Sequence, residues 1–355
     1  MRRAKQTPIS SIKEIAEKAR VSIGTVDRVL HNRKGVSKET KAKIQRIVTA
    51  TGYTPNIYAR NLSLAKTYRF GVLMPKLTQD SGYWQIPAEG IKKAARELHA
   101  YKVHVSYFHF DRYSDVSFRN AVHKAFGDHL DGFLIAPVLS HAVERLLPAV
   151  LHKAPFVFID SNIPTMNCLT FIGQDAFQSG LLAANLVRMV MRTRGNVVII
   201  KVNPEDFHID ERIKGFQKGI REFSKVRTKL YEIDSHRGEK EFYKLTAKII
   251  RENKNLQAVF VSNAWTHPFA GCIHSLMKDR KVFIIGYDLV SKNIQLLRQG
   301  LIDVLISQRP EMQGYEGIHC LYRNIVLREK VRKHIWVPLD IITKENVQFY
   351  QQLAI

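Results

Sequence analysis

Polar side chains with hydrogen-bonding chemistry follow several apolar runs of this chain. Asp160, Asn263 and Asp288 each stand near the end of such a run, and Gln308 stands beyond another. Carboxylates and amides are planar hydrogen-bonding groups, so residues at these positions are candidates for contacts with a bound ligand. A lone aspartate after a strand is also a common helix N-cap, so Asp160 and Asp288 allow both interpretations.

The apolar runs themselves predict buried parallel strands, because they are short and uninterrupted. Amphipathic stretches of helical length lie between them, at residues 176–191 and 240–252 among others. This alternation predicts a doubly wound α/β fold, in which binding sites lie beyond the carboxyl ends of the strands. The predicted strands are residues 70–74, 132–136, 156–159, 197–200, 258–261 and 282–285.

The first seventy residues carry half of the chain's excess positive charge. Sixteen lysines and arginines stand against four acidic residues there, a net charge of +12, whereas the whole chain carries +23. Such an asymmetry indicates a partner that is a nucleic acid. A basic three-helix module that binds protein or anionic lipid is the alternative.

The same region has the pattern of three short helices. Ser11 and Glu14 form a capping box, so a first helix begins directly after Ser11. Ser22 can cap a second helix and Ser37 a third, which stops at Gly52. Two short helices joined by a tight turn make a helix-turn-helix. The predicted core positions are Ile12, Ile15, Ala16, Ala19, Val26, Val29, Leu30, Ile44, Ile47 and Val48.

These residues resemble the headpiece of the lactose/galactose repressor (LacI/GalR) family. The resemblance rests on segments 11–16, 21–30, 36–37 and 52–56, which follow one another in the family's register. In that family the second helix lies in the major groove, so the resemblance implies a double-stranded DNA operator as partner. The DNA-contacting residues implied in the headpiece are Ser22, Ile23, Gly24, Thr25, Arg28 and Asn32.

The side chains along the second helix would determine which DNA bases the protein recognises. Ile23 can touch a thymine methyl and Arg28 can bond a guanine, whereas Gly24 has no side chain with which to read a base. Asp27 either accepts from a cytosine amino group or holds Arg28 in place without touching a base.

Residues 55–62 resemble the family's hinge helix, which orders on DNA and inserts an apolar side chain into a minor-groove step. Leu62 matches the wedge position, and Ala59 one turn earlier is small enough to lie against the groove floor. The alternative is a polar linker that happens to contain a leucine, because so short a segment is marginal as an isolated helix.

The remainder resembles the family's effector domain, a two-lobed domain of the periplasmic sugar-binding-protein type (type I) with parallel sheets. In that domain aromatic rings stack on a sugar's C–H face, and a guanidinium forks onto vicinal hydroxyls. Tyr83 and Trp84 are equally explained as core residues. The ligand-binding residues that the resemblance implies are Ser81, Tyr83, Trp84, Asp160, Arg212, Asn263, Asp288 and Gln308.

Departures from the family's pattern leave the identity of the ligand open. Ala264 stands where many relatives carry an acidic residue, and Ser161 stands where sugar binders often place an arginine or another polar group. Trp265 and His267 are candidates to fill that space.

The predicted domains are a headpiece (1–54), a hinge helix or linker (55–67) and an effector-binding and dimerisation domain (68–355). The chain is expected to cross between the lobes of the last domain three times, near residues 173–175, 304–308 and 335–339. Each lobe therefore has two segments, about 68–174 with 308–336 and about 175–307 with 337–355.

The sequence contains no motif for catalysis, metal binding or a cofactor. Cys168, Cys272 and Cys320 form no CxxC pair, which indicates a reducing compartment, and the fourteen histidines include no HExxH. P-loop, GxSxG and GxGxxG motifs are also missing, as are a signal peptide and an apolar run of 18 residues. We therefore expect no enzymatic activity, no metal, no cofactor, no membrane contact and a cytoplasmic location.

Together these features predict a homodimeric transcriptional regulator, a repressor that binds a pseudopalindromic operator and senses a carbohydrate-like small molecule. Two headpieces on an inverted repeat supply affinity that one short recognition helix cannot. The alternatives are a DNA-binding regulator whose pocket responds to no ligand or to a non-sugar metabolite, and an enzyme on an α/β scaffold.

Overall fold

The computed structural model describes most of the chain as two compact units, Met1–Lys66 and Thr67–Ile355. The predicted positions Ser11, Asn32, Ala59 and Leu62 lie outside the described residues. The described residues are 12–30, 34–51, 53, 66–127, 129–150, 154–191, 194–203, 206–223, 226–278 and 280–352.

The first unit contains three helices: α1 (Ile12–Ala19), α2 (Ile23–Leu30) and α3 (Lys38–Thr51). Both predicted serine caps that lie in the described residues are confirmed. Ser22 Oγ accepts from Thr25 N at 3.1 Å, and Ser37 Oγ accepts from Thr40 N at 3.2 Å. All ten predicted core positions belong to one apolar cluster, in which Ile15, Val26 and Ile44 are fully buried.

The second unit is built on two six-stranded sheets, which confirms the predicted two-lobed α/β fold. In the first sheet all neighbouring strands are parallel, in the order β11-β5-β4-β3-β1-β2. These strands are β1 (Tyr68–Pro75), β2 (Val103–Phe110), β3 (Gly132–Ile135), β4 (Phe156–Ile159), β5 (Thr170–Gly173) and β11 (His334–Trp336).

The second sheet has the order β12-β10-β9-β8-β6-β7 and is parallel except for its edge strand β12, which pairs antiparallel with β10. Its strands are β6 (Gly195–Val202), β7 (Val226–Ile233), β8 (Leu256–Val261), β9 (Phe283–Tyr287), β10 (Val304–Ser307) and β12 (Asp340–Ile342). The runs predicted as strands are six of the eight inner strands of the two sheets, all except β5 and β10, and they are buried on both faces.

Helices flank each sheet, and the first lobe is defined here as the first sheet with its helices and the second lobe as the second sheet with its own. The helices of the first lobe are α4 (Gln85–His99), α5 (Asp115–Gly127), α6 (Ser140–Val150) and α12 (Pro310–Ile325). Those of the second lobe are α7 (Ala176–Val190), α8 (Phe207–Arg221), α9 (Glu239–Glu252), α10 (Thr266–Leu276), α11 (Ser291–Arg298) and α13 (Val347–Gln352).

The chain passes between the two sheets after Gly173, after Ser307 and after Trp336. Gln174, which is buried, ties the three crossovers together: its Nε2 donates to Ser307 O at 2.8 Å and to Pro338 O at 3.1 Å. These crossovers bring the carboxyl ends of strands from both sheets to one region, where the candidate site lies. Among the described residues, no helix is both long enough and apolar enough to cross a membrane.

Candidate functional site

One small cavity is lined by residues that follow strand ends in both lobes, and its volume is about 20 Å³. Seven of the eight predicted ligand-binding residues line it. The exception is Ser81, whose Oγ lies 2.7 Å from His267 Nε2. The lining residues are Asp80, Tyr83, Trp84, Arg112, Asp160, Asp206, His208, Arg212, Asn263, Ala264, Asp288 and Gln308.

Three polar residues at strand ends near this cavity have left-handed backbone conformations. Asp160 follows β4 with φ 69°, Asn203 follows β6 with φ 59°, and Asp288 follows β9 with φ 68°. Such conformations cost energy for residues other than glycine, and they cluster at binding and catalytic sites, where the surrounding structure holds them. Their recurrence at three strand ends therefore makes this edge of the sheets a candidate functional site.

Arg212 lies on α8 with its guanidinium in the cavity wall. The side chain is 1% exposed, donates from Nη1 to Ser262 O at 3.0 Å and from Nη2 to Gln308 Oε1 at 2.9 Å, and lies over the Tyr287 ring at 4.0 Å. Its Nε has no hydrogen-bond partner. A buried N–H without a partner is costly, so this donor is available to a bound hydroxyl.

The position of Arg212 depends on the close approach of α7 and α8. A Cβ added at Gly180 of α7 would lie 1.9 Å from Arg212 O, and one added at Gly215 of α8 would lie 2.0 Å from Phe177 O. The two helix backbones are therefore in direct contact at their glycines, and this contact fixes the position of the Arg212 backbone in the second lobe.

Asp160 and Tyr83 form a buried pair in the first lobe. Tyr83 Oη donates to Asp160 Oδ1 at 2.7 Å, and Asp160 N donates to Gln313 Oε1 at 2.8 Å. Burial, together with the Asp160 charge, raises the pKa of Tyr83 well above its ordinary value, so the phenol keeps its proton. Burial also raises the pKa of Asp160.

The carboxylate of Asp288 accepts only one long hydrogen bond from the described side chains around it. Gln308 Nε2 donates to its Oδ2 at 3.3 Å, but its Oδ1 is buried without a partner. Burial raises the pKa of Asp288 to about 7, the Asp160 charge adds to this effect, and Arg212 opposes it. The side-chain bonds of Asp160 and Asp288 go to Tyr83 and Gln308 rather than to a helix N-terminus, so the capping interpretation is wrong for both.

A buried ion network joins the two lobes and was not predicted from the sequence. Arg112, which follows β2, donates to Asp206 of the second lobe at 2.8 and 2.7 Å and also contacts Asp80 of its own lobe. Asn203 Nδ2 reaches Asp80 Oδ1 at 3.1 Å from the second lobe. Burial alone would lower the pKa of Arg112, but the Asp206 and Asp80 carboxylates raise it above its ordinary value.

Two histidines near the cavity are neutral because they are buried. Burial and the charges of Arg212 and Arg112 lower the pKa of His208 well below its ordinary value. Its Nδ1 has no partner, and its Nε2 lies 3.9 Å from Asp160 Oδ2. Burial, with a contribution from Lys292, lowers the pKa of His267 to about 4.

The polar side-chain groups of Trp84 and Asn263 are already engaged by hydrogen bonds within the protein. Trp84 is 1% exposed and donates from Nε1 to Asp80 Oδ2 at 2.7 Å, so it is a core residue as well as a wall of the cavity. Asn263 Nδ2 donates to Val202 O at 3.2 Å, and its Oδ1 accepts from Trp265 N at 3.1 Å. The Asn263 side chain thus shapes the loop after β8.

The first unit presents the start of α2 to its surroundings. Ser22, Gly24 and Arg28 are exposed, and Ile23 is 47% exposed although it is a large apolar residue. Thr25 is half-buried, with its hydroxyl 2.9 Å from Ser22 Oγ. The helix therefore exposes one large apolar side chain and one cation, and both types of side chain can contact base edges in a major groove.

Family models match both parts of the chain. Residues 70–328 match the periplasmic binding protein domain, and residues 11–56 match the bacterial regulatory proteins of the lacI family. Two bacterial regulators are similar over most of their length. The transcriptional regulator MalR of Streptococcus pneumoniae is 21% identical over 81% of this chain and 85% of its own. Catabolite control protein A of Streptococcus mutans is 22% identical over 80% of this chain and 81% of its own.

Solved structures agree on the fold of the second unit. A putative LacI transcriptional regulator from Bacteroides fragilis has a TM-score of 0.74 at 24% identity and covers 80% of this chain and 100% of its own. A solute-binding protein from Burkholderia graminis in complex with D-arabinose has a TM-score of 0.72 at 19% identity and covers 80% of this chain and 97% of its own.

Proposed function

The chain belongs to the lacI family of bacterial regulatory proteins and carries a periplasmic-binding-protein domain, and from that premise we propose that it is a ligand-responsive repressor. Like its relatives, it is a DNA-binding regulator and not an enzyme. The proposal adds that the protein acts in the cytoplasm, binds a pseudopalindromic operator as a homodimer and senses a sugar or sugar-like molecule between its lobes.

The observation that carries the sensing proposal is a set of buried polar atoms around the cavity that lack hydrogen-bond partners. Arg212 Nε, His208 Nδ1 and Asp288 Oδ1 are three such atoms. A donor, a neutral ring nitrogen and a carboxylate oxygen, on residues that line one cavity, complement the paired donors and acceptors of adjacent hydroxyls. The arabinose complex of a structural neighbour agrees with this chemistry.

Binding of a sugar would require the lobes to separate. The cavity of about 20 Å³ holds a water molecule or two, whereas ligand sites measure about 300–1,000 Å³. A ligand that bridges the lobes stabilises one lobe arrangement over another, and it changes DNA affinity only to the extent of that preference.

The DNA-binding part of the proposal is tested with full-length protein and a selection from randomised duplex DNA. We expect an inverted repeat, bound by a dimer in analytical ultracentrifugation. Arg28→Ala should lower affinity for the selected site more than affinity for unrelated DNA. Arg46→Ala, which removes an exposed cation from α3, is the matched control and should leave the ratio unchanged.

A single asymmetric half-site bound by a monomer would contradict the operator proposal. An unchanged ratio in Arg28→Ala would show that Arg28 does not read a base.

A further inference from the structure

The cavity wall contains more buried negative than positive charge. Its carboxylates belong to Asp80, Asp160, Asp206 and Asp288, all at most 6% exposed, and its guanidiniums belong to Arg112 and Arg212. The neighbouring His208 adds no charge, because burial keeps it neutral. With every carboxylate ionised, the described wall would carry two uncompensated negative charges.

The two arginines are not shared equally among the four carboxylates. Arg112 gives its hydrogen bonds to Asp80 and Asp206. Arg212 gives its bonds to neutral groups, Ser262 O and Gln308 Oε1, and not to a carboxylate. Asp160 and Asp288 therefore lack a bonded cation among the described residues.

Asp160 and Asp288 both line the cavity, and each has an oxygen atom without a hydrogen bond from the described residues. Asp288 Oδ1 is buried without a partner, and Asp160 Oδ2 has His208 Nε2 at 3.9 Å, beyond hydrogen-bond distance. The two carboxylates are close enough that the Asp160 charge raises the pKa of Asp288. A buried carboxylate without a cation is costly, so each needs either a proton or a positively charged group from outside the chain.

We propose that the molecule bound in this cleft is a hydroxyl-rich compound with a protonated amino group, an amino sugar, whose ammonium lies against Asp160 and Asp288. This inference rests on the proposed sensing function and specifies its ligand class. An ammonium offers three donors and one positive charge, which suits two carboxylate oxygens and the Nδ1 of neutral His208. Arg212 Nε remains for a hydroxyl, and phosphorylated or carboxylated sugars are excluded by like charge.

The test uses full-length protein, thermal shift and titration calorimetry. Each of three hexoses, glucose, galactose and mannose, is compared with its 2-amino and its 2-acetamido derivative, and glucose 6-phosphate serves as the anion. We expect at least one amino sugar to bind roughly tenfold or more tightly than its neutral counterparts, because the carboxylates would otherwise lack a counter-charge. The phosphate should not bind.

A neutral hexose that binds as tightly as its amino form would overturn this inference and leave the sensing function intact. If no compound binds while operator binding persists, the inference and the carbohydrate-sensing proposal both fail, and only DNA-binding regulation stands.

Variants locate the ammonium. Asp288→Asn and Asp160→Asn should each weaken binding of the amino sugar roughly tenfold or more while affecting a neutral hexose less, because each removes charge and keeps the side-chain shape. Glu89→Gln, which removes an exposed carboxylate from α4, is the control and should bind as the wild type does. Wild-type affinity for the amino sugar in both aspartate variants would show that the ammonium lies elsewhere.

A measurement on the wild-type protein covers the case in which the variants do not fold. Asp288 faces a set of polar and charged side chains, and burial among them raises its pKa to about 7, so it is protonated below that pH. These side chains belong to Arg212, Asp160, Asp80, Tyr83 and Gln308. At about pH 6 an ammonium that displaces this proton must release it to the buffer. Calorimetry in two buffers of different ionisation enthalpy should therefore show proton release, and its absence would contradict the placement.

Discussion

The ion pair between Arg112 and Asp206 should connect the two lobes energetically, and replacement of Arg112 by methionine tests this. Methionine keeps the apolar length of the side chain but leaves Asp80 and Asp206, which are 5% and 3% exposed, without their cation. Removal of one partner from a buried ion pair costs about 3–5 kcal/mol. The observed cost is reduced to the extent that the lobes open and water reaches the carboxylates.

A double-mutant cycle with Asp206→Asn separates the pair from its surroundings. Urea unfolding of the wild type, both single variants and the double variant should give a coupling of about 2 kcal/mol, within the range of about 0.5–3 kcal/mol known for contacting residues. We expect a coupling free energy in the upper part of this range because both hydrogen bonds from Arg112 to Asp206 are short and buried.

The matched control is the exposed pair of Arg145 and Asp115, whose atoms lie 3.0 Å apart with side chains 60% and 52% exposed. Its coupling should be at most about 1 kcal/mol, because water screens the charges. An Arg112–Asp206 coupling no larger than this control would refute the argument that the pair holds the lobes together. Small-angle scattering should show a larger radius for Arg112→Met than for the wild type.

Three further predictions concern the hinge, a helix contact and one titrating group. Leu62→Ala should reduce operator bending in a circular-permutation assay without lowering the melting temperature, and equal bending would remove the wedge hypothesis. Gly180→Ala should lower the free energy of unfolding by about 1–3 kcal/mol, because the added Cβ would overlap Arg212 O. The control is Gly271→Ala, which has open space around it and should raise the free energy of unfolding by about 0.5–1 kcal/mol. Equal effects of the two substitutions in denaturant unfolding would contradict this prediction. Because the pKa of Asp288 rises from 3.8 to about 7 on folding, its stabilising contribution is complete below 3.8 and is lost as pH rises through about 7. Asp288→Asn should therefore flatten the decline in melting temperature over that window, and an unchanged slope would argue against the raised pKa.

The sequence allowed six of the eight inner strands to be predicted because they are buried on both faces and read as apolar runs. It did not reveal the inner strands β5 and β10, each of which has four residues with one polar residue among them, and it did not reveal the edge strands. β7 carries Arg227, Thr228 and Lys229, all exposed, and β2 mixes histidines with aromatic residues, so neither has the composition of a buried strand. Edge strands have one open side, and their residue pattern resembles that of loops.

The cavity residues that the sequence did not reveal were missed for three different reasons. Arg112 follows β2, and without that strand nothing marked its position as a strand end. Asp206 and His208 lie where α8 begins, where polar residues are usually explained as caps. Asp80 directly precedes the predicted Ser81, but its role depends on Arg112 and Asn203, which come from distant parts of the chain. Long-range charge pairing of this kind leaves no local pattern.

If the cleft between the lobes controls DNA binding, a compound bound in the cleft must change the affinity for the selected operator. Fluorescence anisotropy would be measured with and without the compound that raises the melting temperature, for the wild type and for Arg212→Ala. The compound should change operator affinity in the wild type but not in the variant, because Arg212 contributes the free Nε donor and orients Gln308. Both proteins should bind the operator equally without the compound. A response retained in Arg212→Ala, or no response in the wild type, would contradict control of DNA binding by the cleft.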